Sequence, residues 1–114
     1  MAKGAIPNPL ERRHLIEREL APEAALRVAE AYLAEDRAWD AIAFLAKAGA
    51  RDRLAALREE AVRAGDAFVV REVSRALGDD PGAERWRAVA EAARGAGKER
   101  FAGDALRQAA RGEG

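Results

Sequence analysis

Few residues in this chain are of the types that carry covalent or metal chemistry. Nucleophilic catalysis needs an activated Ser, Cys, Thr or Lys beside a base, but the sequence has no Cys or Thr, and Ser74 is its single serine. Ser74 precedes Arg75 in a helix-forming stretch, which is typical of a small residue tolerated in a helix. His14 is the only histidine, so the chain has no histidine pair for zinc or proton relay. We interpret it as a solvated or interface side chain.

The carboxylates are the remaining candidates for chemistry. Glu59-Glu60 and Asp79-Asp80 are adjacent acidic pairs, but a magnesium site or a glycosidase pair needs carboxylates that converge from different elements. Asp79-Asp80 precedes Pro81, which favours an N-cap that also faces the positive end of a helix dipole. Gly95 and Gly97 lack the strand and the Lys-Ser/Thr of a phosphate-binding loop. We therefore expect no catalytic residue, cofactor or metal, and an enzyme relying on carboxylates alone is the weakest alternative.

Charge and composition exclude several other functions. Twenty basic and twenty acidic residues cancel, whereas binding to a phosphate backbone usually requires excess positive charge. No charge-free stretch approaches the roughly 20 apolar residues of a membrane span, and the N-terminal twenty residues carry charges where a signal peptide is apolar. The absence of cysteine gives no indication of an oxidising compartment. We expect no nucleic-acid partner, no membrane partner, and a soluble cytoplasmic protein.

The elements that must position these residues are all predicted to be helices. Alanine supplies about a quarter of the chain, and Ala, Leu, Arg and Glu are good helix formers. Gly and Pro recur at intervals that fit helix ends. The predicted helices cover about 8–20, 22–35, 38–48, 52–64, 67–77, 80–94 and 98–111. The proposed N-caps are Asn8 (with Pro9 and Glu11), Asp52, Asp66 and Asp80 before Pro81, and the proposed left-handed closing glycines are Gly49, Gly65 and Gly78.

Short connections force successive helices to lie side by side and antiparallel. We predict a loose tail over 1–7 and a single all-α domain over 8–114, in which an extra helix precedes hairpins at about 22–49, 50–78 and 80–111. Apolar residues at three- and four-residue spacing define the expected core. They are Leu26, Val28, Ala29, Tyr32, Leu33, Ile42, Leu45, Ala48, Leu54, Leu57, Ala61, Phe68, Val69, Val73, Leu77, Trp86, Val89, Ala90, Ala93, Phe101, Ala102, Ala105, Leu106 and Ala109.

The chain also repeats itself. Val28, Ala29, Tyr32, Ala41, Leu45 and Ala48 recur sixty-one positions later as Val89, Ala90, Ala93, Ala102, Leu106 and Ala109. With Trp86 and the turn glycine Gly97, this pattern over about 22–110 resembles the tetratricopeptide repeat family. The resemblance implies a short right-handed superhelical array of hairpins. Ala25 and Asp36 depart from the family pattern, and the spacing of about 28 to 33 residues is shorter than its 34. An irregular bundle or a HEAT-like stack is the alternative.

In such an array the first helix of each hairpin lines the concave face. By resemblance, the exposed positions of that face are Glu23, Glu30, Glu84, Arg87, Glu91 and Arg94. The chain has three lysines, and its one Asn lies at the start, so the Lys/Asn carboxylate clamp of chaperone-binding members is not expected. A solvated face held by weak ion pairs is an equal alternative to a binding groove.

Trp39 and Phe44 fall outside the apolar register of their helix, and aromatic residues are enriched at interfaces. We interpret them as exposed anchors for a partner. The alternatives are that the extra N-terminal helix covers them, or that this patch mediates self-association. The sequence therefore favours a non-catalytic protein-interaction or scaffold module, with a structural homo-oligomer as the alternative.

Overall fold

The computed structural model describes residues 6–113, with the side chains of residues 6–111. These residues form seven α-helices and no strand: α1 Pro9–Glu17, α2 Pro22–Ala34, α3 Ala38–Lys47, α4 Arg51–Ala64, α5 Ala67–Leu77, α6 Ala83–Gly95 and α7 Glu99–Glu113. The predicted all-α class and the order of the helices are confirmed. Most of the predicted tail, residues 1–5, lies outside the described residues. No helix within 6–113 combines the length and the apolarity needed to cross a membrane.

Two of the proposed N-caps are confirmed. The Glu11 N–H donates to Asn8 Oδ1 over 2.9 Å and the Asn8 N–H donates to Glu11 Oε1 over 3.0 Å, which completes a reciprocal capping box. The Val69 N–H donates to Asp66 Oδ1 over 3.1 Å at the start of α5. In both cases a short polar side chain satisfies a main-chain donor that has no partner within the helix.

Two other cap predictions are wrong. α4 begins at Arg51, so Asp52 lies inside its first turn, where its charge still complements the helix dipole. α6 begins at Ala83 rather than at Pro81. Asp80 instead accepts the Gly82 N–H over 2.8 Å. Helix α1 also ends at Glu17, short of the predicted residue 20.

The turns use left-handed backbone, as predicted for Gly49, Gly65 and Gly78, whose φ angles are +67°, +73° and +69°. Asp36 adopts the same region, with φ of +61°, in the turn between α2 and α3. Asp is one of the few residues other than glycine that enter this region, because its short polar side chain can bond locally. Asp36 thus fills the place near which the tetratricopeptide pattern has a glycine.

The contacts divide the chain into two compact units, Met1–Leu54 and Ala55–Gly114, with the boundary inside α4. We call them the N-terminal and C-terminal units. The single domain expected over 8–114 stays a prediction.

In the N-terminal unit, α2 packs against α3. Its buried residues include Ala25, Ala29, Ala31 and Tyr32 on α2, and Ala41, Ile42, Phe44 and Leu45 on α3. The Tyr32 and Phe44 rings stack across the hairpin with centroids 5.9 Å apart. Leu26, Val28, Leu33 and Ala48, predicted as core, are only half-buried.

In the C-terminal unit, α6 packs against α7, and α5 contacts both. The core contains Trp86, Val89, Ala90 and Ala93 of α6, Ala102, Ala105 and Ala109 of α7, and Val69, Val70, Val73 and Leu77 of α5. Phe68 and Leu106, predicted as core, are exposed. The Arg71 guanidinium lies 5.7 Å from the centre of the Phe68 ring and pairs with Asp104 of α7 over 3.1 Å.

Gly65 lies against the backbone of α6. A Cβ atom placed on it would lie 2.4 Å from Ala93 N and 2.6 Å from Ala93 Cα. These are main-chain atoms of α6, which cannot rotate away. The turn between α4 and α5 therefore rests directly on the backbone of α6, and only glycine fits there.

Candidate interaction surfaces

The polar residues first considered for chemistry mostly serve structural contacts. Arg58 of α4 is largely buried, and its Nη1 donates to Ser74 Oγ over 3.1 Å and to Asp79 O over 2.8 Å. Its Nη2 donates to Asp79 Oδ2 over 3.1 Å. One guanidinium thus joins α4 to α5 and to the turn that follows α5. Sequence reasoning missed this role, although the Leu54, Leu57 and Ala61 stripe places Arg58 beside the buried face.

The other chemistry candidates lie apart from one another. Glu59 Oε2 accepts from Arg85 Nε over 2.8 Å. Asp80 Oδ1 lies 3.4 Å from the indole Nε1 of Trp86. His14 is exposed on α1, at a shallow depression that it shares with Glu11 and Arg18. Within residues 6–113, no three His, Asp or Glu side chains form a group that could hold a metal ion.

Four of the predicted surface residues form one stripe on α6. Glu84, Arg87, Glu91 and Arg94 are all exposed, and their spacing of three, four and three residues places them on one helix face. The buried residues Trp86, Val89, Ala90 and Ala93 lie on a different face of the same helix. Arg94 Nη1 and Glu91 Oε2 are 3.9 Å apart, a surface pair of little energetic value. We call these four residues the α6 stripe.

The two acidic candidates on α2 differ from each other. Glu23 is exposed in the first turn. Glu30 is half-buried and pairs with Arg53, whose Nη1 and Nη2 reach its two carboxylate oxygens, the second over 3.0 Å. Two parallel bonds of this kind give an ion pair more geometric order than a single contact does. Because α2 and α6 belong to different units, a groove combining Glu23 and Glu30 with the α6 stripe stays a prediction.

The two aromatic residues predicted as anchors, Trp39 and Phe44, differ in their exposure to solvent. Trp39, in the first turn of α3, is 43% exposed, as predicted. Phe44 is 0% exposed, so its prediction as an exposed anchor is wrong. The apolar register failed there because Tyr32 stacks on one side of the Phe44 ring and a cation from α1 approaches it. The alternative, that the N-terminal helix covers these aromatics, is supported for Phe44 by one residue of α1.

That covering residue is Arg12. Its Cζ lies 5.6 Å from the centre of the Tyr32 ring and 5.6 Å from that of the Phe44 ring. Its Nη2 donates to Asp40 O over 3.1 Å. We call Arg12, Tyr32, Phe44 and Asp40 the arginine cluster. One signal in the sequence was available: Arg12 shares a face with Leu15 and Ile16, three and four residues later, and all three are half-buried.

No protein-family model, no curated protein and no solved structure matches this chain. The resemblance to tetratricopeptide repeats therefore stays a prediction that rests on the residues that carry it.

Proposed function

We propose that the chain is a non-catalytic protein-interaction or scaffold module of the helical-repeat type, acting on a protein partner in the cytoplasm. The observation that carries this proposal is Trp39, a large apolar side chain of which 43% remains exposed. Tryptophan is among the residues most enriched at the energetic centres of protein interfaces.

The surroundings of Trp39 suit that role. Arg37 Nε donates to Asp40 Oδ2 over 2.9 Å, so an ion pair spans the turn of helix that contains Trp39. Asp40 is in turn fixed by Arg12 of α1. A large apolar ring on a turn held by polar contacts loses little conformational freedom on binding, which favours affinity.

The direct test is quantitative capture from a cell lysate with isotope labelling and mass spectrometry. We expect the full-length chain to recover a specific protein whose capture falls at least about tenfold in Trp39→Ala, equivalent to about 1.4 kcal/mol. Leu106→Ala is the matched control, because Leu106 is also 43% exposed but lies in the C-terminal unit. If Trp39→Ala captures the same proteins as the parent chain, Trp39 is not the anchor. Repeated recovery of no specific protein would count against the proposal as a whole.

A structural homo-oligomer is the second candidate, and it is favoured by a different observation. Leu10 and Phe68 are also large apolar side chains at the surface, and paired surfaces of this kind generate symmetric assemblies. Sedimentation at micromolar concentration decides between the two. A chain that stays monomeric excludes the oligomer, whereas a dimer that dissociates in Leu10→Ala or Phe68→Ala would favour it.

A further inference from the structure

Helix α1 is attached to the rest of the N-terminal unit in an unusual way. It is nine residues long and contains no buried residue. Helices usually dock through a stripe of buried apolar side chains. Here the contacts include two cations: Arg12 lies over the aromatic rings, and Lys47 Nζ donates to Arg18 O at the end of α1 over 3.1 Å.

The surface beneath Arg12 has the features of an arginine-binding pocket. The stacked Tyr32 and Phe44 rings present two π systems to one guanidinium, and arginine is the cation that combines stacking on rings with forked hydrogen bonding. Asp40 supplies a main-chain carbonyl oxygen at 3.1 Å from Nη2 and a carboxylate oxygen at 3.7 Å from Nε. A lysine ammonium is a compact point charge. It lacks the planar fork that would let it stack on the rings and bond both oxygens at once.

Arg12 fills this pocket incompletely. Its Nε is buried but has no hydrogen-bond partner, and the 3.7 Å separation from Asp40 Oδ1 is too long for a good bond. Asp40 also binds Arg37, whose guanidinium lies 5.2 Å from the Tyr32 ring centre. An arginine entering from solvent would not carry the constraint that the position of α1 places on these donors.

We propose that Tyr32, Phe44 and Asp40 form a recognition pocket for an arginine side chain of a protein partner, and that Arg12 occupies this pocket in cis. The proposal deepens the proposed function and rests on it, because it names the kind of residue the partner inserts. Displacement of α1 is compatible with the chain: residues 18–21 connect it to α2, and Arg18 and Ala21 have extended ψ angles of 161° and 143°. No helix has to unwind for α1 to move.

The test uses the full-length chain with Arg12→Ala, which empties the pocket, and the small probe Nα-acetyl-arginine amide. Tyr32 is the only tyrosine, so its ring resonances in a tyrosine-labelled sample report the pocket directly. We expect a saturable shift of the Tyr32 ring signals in Arg12→Ala at millimolar probe. The probe should bind the parent chain at least tenfold more weakly, because Arg12 competes. Nα-acetyl-lysine amide should bind Arg12→Ala at least tenfold more weakly than the arginine probe.

Two further variants make the outcome decisive. Asp40→Asn in the Arg12→Ala background should weaken probe binding at least fivefold, because the charged acceptor is lost. If Arg12→Ala does not fold, Arg12→Lys takes its place, and restoration of either variant's helical signal by the arginine probe also supports the pocket. A folded variant with no saturable Tyr32 shift overturns the proposal, as do equal binding of the two probes and failure of the probe to restore unfolded variants.

The same samples separate this proposal from the broader one. The probe measurement needs no natural partner, so a positive result with failed lysate capture leaves the pocket and removes the proposed function. A negative probe result with successful capture through Trp39 removes the pocket and leaves the proposed function. If the parent chain and Arg12→Ala associate in sedimentation and the arginine probe dissociates this complex, the occupant is α1 of a second copy, and a partner arginine is excluded.

Discussion

The hairpins α2–α3 and α6–α7 match in sequence at an offset of sixty-one residues, but they place their large side chains differently. The N-terminal hairpin has Tyr32 and Phe44 at positions where the C-terminal hairpin has Ala93 and Ala105. At a third position the small and large residues are exchanged: the N-terminal hairpin has Ala25 where the C-terminal hairpin has Trp86. All six are buried.

What lies on each hairpin accounts for the difference. In the N-terminal unit, a guanidinium from α1 covers the aromatic pair. In the C-terminal unit, the Gly65 turn rests on the backbone at Ala93, where an aromatic side chain would hold the turn away. The shared pattern therefore specifies how two helices pair, and the exchanged residues specify what covers the pair.

Leu45 and Leu106 make the same point at one position. They are related by the sixty-one-residue offset, but Leu45 is 1% exposed and Leu106 is 43% exposed. Identical residue types at matched positions thus have different environments, because burial depends on the neighbours of each hairpin and not on the hairpin alone.

The largest expected effect comes from Trp86→Ala. Trp86 is the largest buried side chain of its hairpin, at 2% exposure, and its indole Nε1 faces Asp80. Removal of a buried tryptophan leaves a cavity and costs about 3–5 kcal/mol. Trp39→Ala is the matched control and should cost less than Trp86→Ala, because 43% of Trp39 is already exposed to solvent. Urea unfolding followed by circular dichroism measures both. A loss below about 1 kcal/mol in Trp86→Ala would show that the C-terminal hairpin does not depend on Trp86.

The second contrast compares Leu45 with Leu106. Leu45→Ala should lower the free energy of unfolding by about 2–4 kcal/mol, as for other buried leucines, and Leu106→Ala by less than about 1 kcal/mol. Each unit contains one tryptophan. Trp86→Phe therefore leaves Trp39 to report the N-terminal unit, and Trp39→Phe leaves Trp86 to report the C-terminal unit. A large effect of Leu106→Ala would indicate that the leucine is covered in solution by another surface.

The sequence predicted the elements of this fold well, because their signals are local. Asn8, Asp66 and three glycines act at helix ends through contacts or backbone angles confined to a few residues. The stripe on α6 was predictable for the same reason, since helical spacing alone places its four residues on one exposed face.

The failures at Phe44, Arg12 and Arg58 depend on contacts between residues far apart in the sequence. The wrong caps at Asp52 and Asp80 and the contact of Phe68 with Arg71 are local. Phe44 was interpreted as exposed because its own helix gives no sign of Tyr32 or Arg12, twelve and thirty-two residues earlier. Phe68 was assigned to the core, although its register also allows an exposed ring beneath Arg71. Arg12 and Arg58 were passed over because a charged residue is usually solvated. Only the structure shows which cations are held by rings or by buried acceptors.

The smallest contrast tests the close approach at Gly65. Gly65 and Gly78 have similar φ angles, +73° and +69°, but a Cβ at Gly78 would meet nothing within 4 Å. Gly78→Ala should therefore cost about 1–2 kcal/mol, the penalty for a left-handed alanine. Gly65→Ala carries the same backbone penalty and also forces the turn off Ala93, which adds about 1–2 kcal/mol, as overpacking does in other cores. Urea unfolding reported by Trp86 measures both. Equal losses would mean that the turn can shift freely, and small residues at Ala93 and Ala105 would then need an explanation other than the approach of Gly65.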